Sequence, residues 1–387
     1  METTDLSSAR FWEGDENHIA MDPLRPDDAR GLADFAKEGL KARGWCFFQT
    51  SGSEGLPKWV GLSKEAFLVS ARAVNAFFDV TPADRWLVAL PLHHVGGFSI
   101  YARSFASGSP VHRMDDPWDA AAFAAHCREH RATLTSLVPT QVFDLANEQI
   151  VAPPDLRAVI VGGGALAPAL RDRARKLGWR LCCSYGMTEA ASQIGTESTE
   201  GGATALRETI FVLPHWDATT DAESVLTIRG PALAKGYATR DERDAWHWQA
   251  IDPMTGLRTR DRVRIWQQGA RQRLQFIGRE TAFIKICGEL VNVDALQRRL
   301  DDVADQIGFL AGAVIVPLDD PRRGATIVIA VELGDSSNEG RAVLLRRYNE
   351  ASLPFERASG VRVVGFIPRS PLGKPRVAEL AVMLAKA

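Results

Sequence analysis

Between Trp45 and Gly186, short apolar runs alternate with segments of helical spacing, and this alternation constrains the fold more than any other feature. WCFFQT, RWLVALP, TLTSLVP, LRAVIVGGG and RLCCSYG read as strands bounded by turn residues. KEAFLVSARAVNAFFDV reads as a helix, with Phe67, Ala71, Val74 and Phe78 on one face. AAAFAAHCREH and PALRDRARKLG are further helices, the second opened by Pro168, whose missing N–H costs nothing in a first turn. The HHVGGF stretch after RWLVALP reads as a loop. Strands separated by helices return by crossover, which predicts a mostly parallel sheet layered with helices.

The pattern changes after about Thr196. SVLTIRG, RVRIWQQ and RLQFIGR are shorter alternating strands, as in a small β-rich subdomain. A second change follows Phe276-Ile277-Gly278-Arg279, where a strand, a turn and a helix lead into AGAVIVPLDD, ATIVIAVEL and RAVLLRRYNEASLP. At 387 residues the chain has about twice the length of a typical domain. The expected class is α/β: a large layered N-terminal α/β domain with a small β-rich subdomain (1–278), plus a small mobile C-terminal α+β domain (279–387).

Composition removes several classes of function. With 45% hydrophobic and 24% charged residues, the core needs no staple of metal or disulfide. A formal net charge of −2 gives no electrostatic footing for nucleic acid. Five cysteines without a CxxC pair argue against a zinc or redox centre and fit a reducing compartment. METTDLSSARFWEGDE lacks a basic segment followed by an apolar one, and no apolar run approaches bilayer length. The expectation is a cytoplasmic protein with small-molecule substrates, no nucleic-acid partner and no membrane insertion.

The densest chemical motif is Thr50-Ser51-Gly52-Ser53-Glu54-Gly55-Leu56-Pro57-Lys58, directly after a strand. Gly52 and Gly55 let backbone N–H groups come close to a polyphosphate. Thr50, Ser51 and Ser53 can donate to phosphate oxygens, and Lys58 adds positive charge. The spacing differs from the GxxxxGK[ST] phosphate loop.

This motif resembles the phosphate loop of the adenylate-forming superfamily of acyl-CoA ligases, luciferases and peptide-synthetase adenylation domains. Further blocks resemble that family in the same order. They are SYGMTEAAS from Ser184, IRGPALAKGY from Ile228, LRTRDRVRI around Asp261, FIGR ending in Gly278 and Arg279, and PRSPLGKPR around Lys374. The resemblance implies ATP, Mg²⁺ and coenzyme A as cofactor and co-substrates, and a reaction through an acyl-adenylate. It implies that Lys374 bridges the substrate carboxylate and the α-phosphate, that Thr188 bonds a phosphate oxygen, and that Glu189 holds Mg²⁺. It places Ser184, Tyr185 and Gly186 in the nucleotide site, Asp261 on the ribose hydroxyls, and Arg279 beside it at the start of a hinge. Gly162, Gly163 and Gly164 admit two readings. GGGALA after a strand matches a dinucleotide fingerprint, which requires an acidic residue about 20 positions on, at the end of a second strand. RLCCSYGMT has none before Glu189, and the resemblance instead sets the turn against adenine and the acyl pocket.

SLVPTQVFDLAN, VGGGALAP and SYGMTEAASQI are similar to the o-succinylbenzoate–CoA ligases of menaquinone and phylloquinone synthesis. That similarity implies Arg103 as cationic partner of the second, aromatic carboxylate, for which a guanidinium is well shaped, while the wider superfamily resemblance implies that His94 lines or gates the acid pocket. His93 stands where the family has an aromatic residue, while Gly96 and Gly97 suggest close approach of a ligand. Other departures are Arg260 in TRD, Thr281 in place of the hinge aspartate, and Cys287 and Leu290 in the loop expected to help form the CoA tunnel. Only 49 residues precede the phosphate loop, against a much longer region in the family. The expectation is a shortened first subdomain whose exposed face a homodimer could cover.

Overall fold

The computed structural model describes residues 5–51, 57–198, 209–287, 289–309, 312–333, 337–370 and 373–385. The parallel half of the main sheet is built as the alternation predicts. Val111–Arg113, Trp86–Val88, Leu134–Leu137, Ala158–Val161 and Leu181–Tyr185 pair in parallel, in that spatial order. The helix Lys64–Phe77 buries Phe67, Ala71 and Val74, with Phe78 buried at its C-cap. Ser63 caps its N-terminus by accepting from the Ala66 N–H.

The strands after Thr196 do not form a separate β-rich subdomain. They continue the same sheet from the Leu181–Tyr185 edge, in the order Gly195–Thr196, Thr209–Val212, Arg271–Arg279, Leu257–Gln268, Val225–Arg229 and Asp217–Thr220, all antiparallel. The result is one eleven-stranded mixed sheet. Gly236–Arg240 and Trp246–Ala250 instead join a second, five-stranded sheet through Pro57–Ser63. Period-two alternation identifies a strand's buried face but not its neighbour, and an open edge of unpaired N–H and C=O groups recruits whichever strand arrives.

HHVGGF is also not a loop throughout. A helix runs from Val95 to Ser107 with His94 as its N-cap. Gly97 lies so close to the preceding turn that a Cβ there would stand 2.6 Å from the carbonyl oxygens of Leu90 and Pro91. The close approach read from this glycine is therefore made by the chain itself, and tertiary packing overrides its low helix propensity.

From Phe283 onward a short hairpin, Phe283–Ile286 with Glu289–Asn292, precedes a three-stranded sheet of Ala313–Asp320, Gly324–Glu332 and Ala358–Val364. The helices Val293–Gln306 and Asn338–Glu350 share one apolar cluster with this sheet, and Val377–Ala385 shares another. Among the described residues, neither cluster includes a residue before Ile284, and those of the large sheets include none after Phe276. Among the described residues, the contacts joining the two parts include polar ones and the Arg262 guanidinium 4.6 Å from the Phe283 ring centre. Asn292 Nδ2 donates to the Ile277 carbonyl at 2.9 Å, and Arg173 lies 3.7 Å from Asp305. No helix among the described residues is long and apolar enough to cross a membrane.

Candidate active site

Asp261 lies where the two parts of the chain meet, beside Arg279. The pairing of Leu257–Gln268 with Arg271–Arg279 sets Asp261 directly opposite Arg279. The Asp261 side chain is buried; its Oδ2 accepts from the Tyr185 hydroxyl at 2.6 Å and its Oδ1 lies 3.3 Å from Arg279 Nε. Thr259 Oγ1 anchors the backbone, accepting from the Asp261 N–H at 3.1 Å while donating to the Leu226 carbonyl at 2.9 Å. Burial, and after it the charge of Asp261, push the Tyr185 hydroxyl well above its usual pKa, so it remains a donor.

Glu189 sits in the one-turn 3-10 segment Thr188–Ala190, which follows the Leu181–Tyr185 strand. Its Oε1 accepts from the Tyr237 hydroxyl at 3.1 Å. Burial raises its pKa, against the opposing hydrogen bond from Tyr237. Among the described residues no cation lies within ion-pair distance of this carboxylate. Arg279 acts on it only at longer range, and a desolvated carboxylate with no cation in contact is stabilised by a hard divalent cation, so the residues present fit Mg²⁺. The turn is tight: a Cβ on Gly186 would stand 1.7 Å from the Ser192 carbonyl oxygen, and Ala191 and Ser192 have φ of 48° and 108°. Gly186→Ala is expected to destabilise the fold by roughly 1–3 kcal/mol, the scale of overpacking. An unchanged denaturation midpoint would contradict this turn.

Lys374 comes from the far part of the chain. Its loop is closed by hydrogen bonds from Gly373 N to Ser370 O and Ser370 N to Lys374 O, both 2.8 Å, and from Lys374 N to Ser370 Oγ at 3.2 Å. Gly373 has φ of 72°, and a Cβ there would stand 2.7 Å from Thr140 Cγ2, so the loop rests against the large sheet's helix Pro139–Asn147. The side chain keeps contact with solvent, yet burial of the ammonium and then the charge of Arg279 lower its pKa, with Asp294 and Asp261 opposing. Lys374, Arg279, Asp261 and Tyr185 therefore share one electrostatic environment. Asp294, whose Oδ2 accepts from the Arg279 N–H at 3.4 Å, belongs to it without having been read from the sequence.

The glycine turn lies after the adjacent strand. Gly163 has φ of 79°, and a Cβ on Gly162 would stand 3.0 Å from Ser184 Oγ, which donates to the Val161 carbonyl at 3.2 Å. Thr50 and Lys58 face each other across the hairpin of Trp45–Ser51 and Pro57–Ser63, and Thr50 Oγ1 donates to the Lys58 carbonyl at 3.4 Å. The second of these strands packs against the Thr188–Ala190 turn. Gly52, Ser53 and Gly55, and the side chain of Ser51, lie outside the described residues. So do Pro371 and the side chains of Thr281 and Leu290.

Arg103 is no solvated helix arginine: it is 2% exposed. Its guanidinium donates to Ser136 Oγ at 3.2 Å and Ser192 Oγ at 3.4 Å, and lies 5.5 Å from the centre of the Trp86 ring. Burial lowers its pKa to about 9, and among the described residues no carboxylate pairs with it. Among the described residues His94 Nε2 is buried and has no hydrogen-bond partner, and burial, followed by the nearby His93, lowers the His94 pKa to about 4. A neutral imidazole and an unneutralised guanidinium thus occupy one helix, at its N-cap and nine residues further on. Sequence reading assigned no role to Tyr237, Ser136 or Ser192, although each lies in a quoted block: Tyr237 ends IRGPALAKGY, Ser136 opens SLVPTQVFDLAN and Ser192 ends SYGMTEAAS.

Three comparisons bear on this arrangement. The family described as AMP-binding enzyme matches residues 38–238. The 2-succinylbenzoate–CoA ligase of Salmonella typhimurium is 30% identical over 295 residues, which take in 75% of this chain and 58% of that relative. The chain therefore aligns with less than two thirds of that protein. Among solved structures, o-succinylbenzoate CoA synthetase from Bacillus subtilis, in complex with the acyl-adenylate intermediate OSB-AMP, superposes with a TM-score of 0.71 at 23% identity, over 87% of this chain and 68% of that one. An amide bond synthetase from Marinactinospora thermotolerans gives 0.72 at 23% identity, over 88% and 69%.

Proposed function

Because the chain belongs to the AMP-binding enzyme family, we propose that it is an AMP-forming acid–CoA ligase that activates o-succinylbenzoate with ATP and then transfers the acyl group to coenzyme A. The observation that carries the choice of acid is Arg103. A guanidinium buried among serine hydroxyls and an indole, with no carboxylate paired to it among the described residues, is costly unless an anion completes it. A dicarboxylate whose aliphatic carboxyl is activated brings that anion as its aromatic carboxyl. The name of the Salmonella typhimurium relative supports the same substrate.

The chemistry requires a better leaving group than hydroxide. A carboxylate oxygen of the acid attacks the α-phosphorus of ATP, pyrophosphate departs, and the acyl-adenylate forms. Lys374 meets both the attacking carboxylate and the α-phosphate, and Thr188 bonds a phosphate oxygen. Thr50, Ser51, Ser53 and Lys58, with the N–H groups of Gly52 and Gly55, surround the β- and γ-phosphates. Adenine lies along Gly162–Gly164 and Ser184–Gly186. Mg²⁺ held by Glu189 supplies charge neutralisation for the phosphates. His94, neutral because it is buried, lines the acid pocket without repelling or trapping the leaving charge. Residues 279–387 act as a mobile domain turning about Arg279, a reading supported by apolar clusters that, among the described residues, do not cross from one part to the other.

Asp261 accepts from the ribose hydroxyls in place of part of its present contact with Tyr185 and Arg279. Asp261→Ala is expected to weaken ATP binding by roughly 1–3 kcal/mol, the scale of a lost charged hydrogen bond. Calorimetry showing wild-type ATP affinity in this variant would remove Asp261 from the ribose site.

The substrate reading is tested by acid-dependent exchange of labelled pyrophosphate into ATP across a panel of o-succinylbenzoate, benzoate, succinate and medium-chain acids. The expected result is exchange supported best by o-succinylbenzoate. Equal or better exchange with a monocarboxylate would reassign the acid. A second reading, an adenylating enzyme without the thioester step, is favoured by one feature. Cys287 has φ of 53° and its Sγ accepts from Arg323 Nε at 3.4 Å, in the loop proposed to enter the site for thioester formation.

A further inference from the structure

A second cluster of ligand-type side chains lies at the opposite edge of the parallel half-sheet. The helix Ala120–Glu129 ends there, with His130 as its C-cap. His126, Glu129 and His130 stand three and four positions apart on one helical face, and each offers a ligand atom within 4.8 Å of the other two. The two imidazole rings are nearly parallel, 9° apart with centroids at 6.0 Å. His130 is held in place from the other side by His112 of the edge strand, stacked on it at 4.2 Å. Asp116 Oδ2 lies 3.6 Å from His126 Nε2 and adds negative charge. Among the described residues His126 Nδ1 is buried without a hydrogen-bond partner. Two neighbouring arginines are turned elsewhere, Arg128 donating to the Val151 carbonyl and Arg131 pairing with Asp155, while Arg85 acts on His112 behind the cluster.

A helix C-terminus by itself favours positive charge, and that alone would account for two histidines there. It does not account for the convergence of two imidazoles and a carboxylate on one point. Two nitrogen donors and one oxygen donor at helical spacing form a ligand set for a late first-row divalent cation, not for Mg²⁺, which prefers oxygen. We infer that His126, Glu129 and His130 bind one such cation, with Zn²⁺ as the representative ion and water completing its coordination. The site is separate from the proposed Mg²⁺ position at Glu189. Because one exposed helical turn supplies all three ligands, binding is open and reversible, and it fastens the last turn of the helix beside the sheet edge.

The test is titration of the untagged full chain with Zn²⁺ by calorimetry, and with Co²⁺ by its visible spectrum, in excess Mg²⁺ to occupy oxygen sites. One equivalent should bind. His130→Asn and Glu129→Gln should each weaken binding by at least about tenfold, since even outer-shell changes cost that much. Cys287→Ser should bind as wild type does, excluding the exposed thiol as the ligand. Metal-free melting curves identify any variant that has lost its fold, and Glu129→Gln, at an exposed position, decides the matter if His130→Asn is destabilised. Absence of a one-to-one complex in the wild type, or undiminished affinity in folded Glu129→Gln, would overturn the inference.

Discussion

Lys374→Ala is expected to lower acid-dependent pyrophosphate exchange by roughly a hundredfold or more, the scale of losing a preorganised transition-state donor. The same variant is expected to convert presynthesised acyl-adenylate and CoA into thioester at close to the wild-type rate. The asymmetry follows from where the charge appears. Negative charge concentrates at the α-phosphate only while the carboxylate attacks, and only then does an ammonium between the two oxygens lower the barrier. The lysine loop is tied internally through Ser370 and Gly373 and rests on Thr140, which holds the lysine's backbone in place. Stopped assays on the two half-reactions separate the outcomes. Equal loss in both would make Lys374 a structural residue, and loss in neither would remove it from the site.

Arg103→Ala is expected to raise KM for o-succinylbenzoate by roughly ten- to a hundredfold, corresponding to the loss of a charged hydrogen bond. KM for benzoate should change far less, because a monocarboxylate uses its only carboxyl at the phosphate and leaves nothing for the guanidinium. The comparison between acids matters because Arg103 also packs on Trp86 and bonds two serines. A loss that came only from disturbed packing would affect all acids alike, and equal effects would assign Arg103 a structural role. Arg103→Lys should recover part of the o-succinylbenzoate preference but not all, since an ammonium cannot make the planar two-point contact.

The parallel half of the large sheet was legible because each strand is an apolar run closed by turn residues and followed by a helix. Its antiparallel extension was not. RVRIWQQ and RLQFIGR show which face is buried, but hydrogen-bonding partners leave no periodic trace, so the strands read as a subdomain of their own. The helix at Val95 was hidden for a related reason: Gly96 and Gly97 have loop propensity, and the carbonyls of Leu90 and Pro91 that demand Gly97 are visible only in three dimensions. Motif order pointed to Tyr185, Asp261, Arg279 and Lys374, and the fold brings the first three into contact, with Lys374 within electrostatic reach. The supporting hydroxyls were less accessible. Tyr237 meets Glu189 across 48 residues of sequence, and Ser136 and Ser192 reach Arg103 from two further segments. Serine is common enough that its type alone marks nothing.

The central claim is that this chain joins an acid to AMP and then to CoA. The most direct measurement is mass-spectrometric product analysis after mixing the protein with o-succinylbenzoate, ATP and Mg²⁺, with and without CoA. The account predicts pyrophosphate and protein-bound acyl-adenylate without CoA, and o-succinylbenzoyl-CoA with one AMP per thioester when CoA is present. Acyl-adenylate that CoA never consumes would contradict the ligase half of the claim, and no acid-dependent pyrophosphate under either condition would contradict all of it.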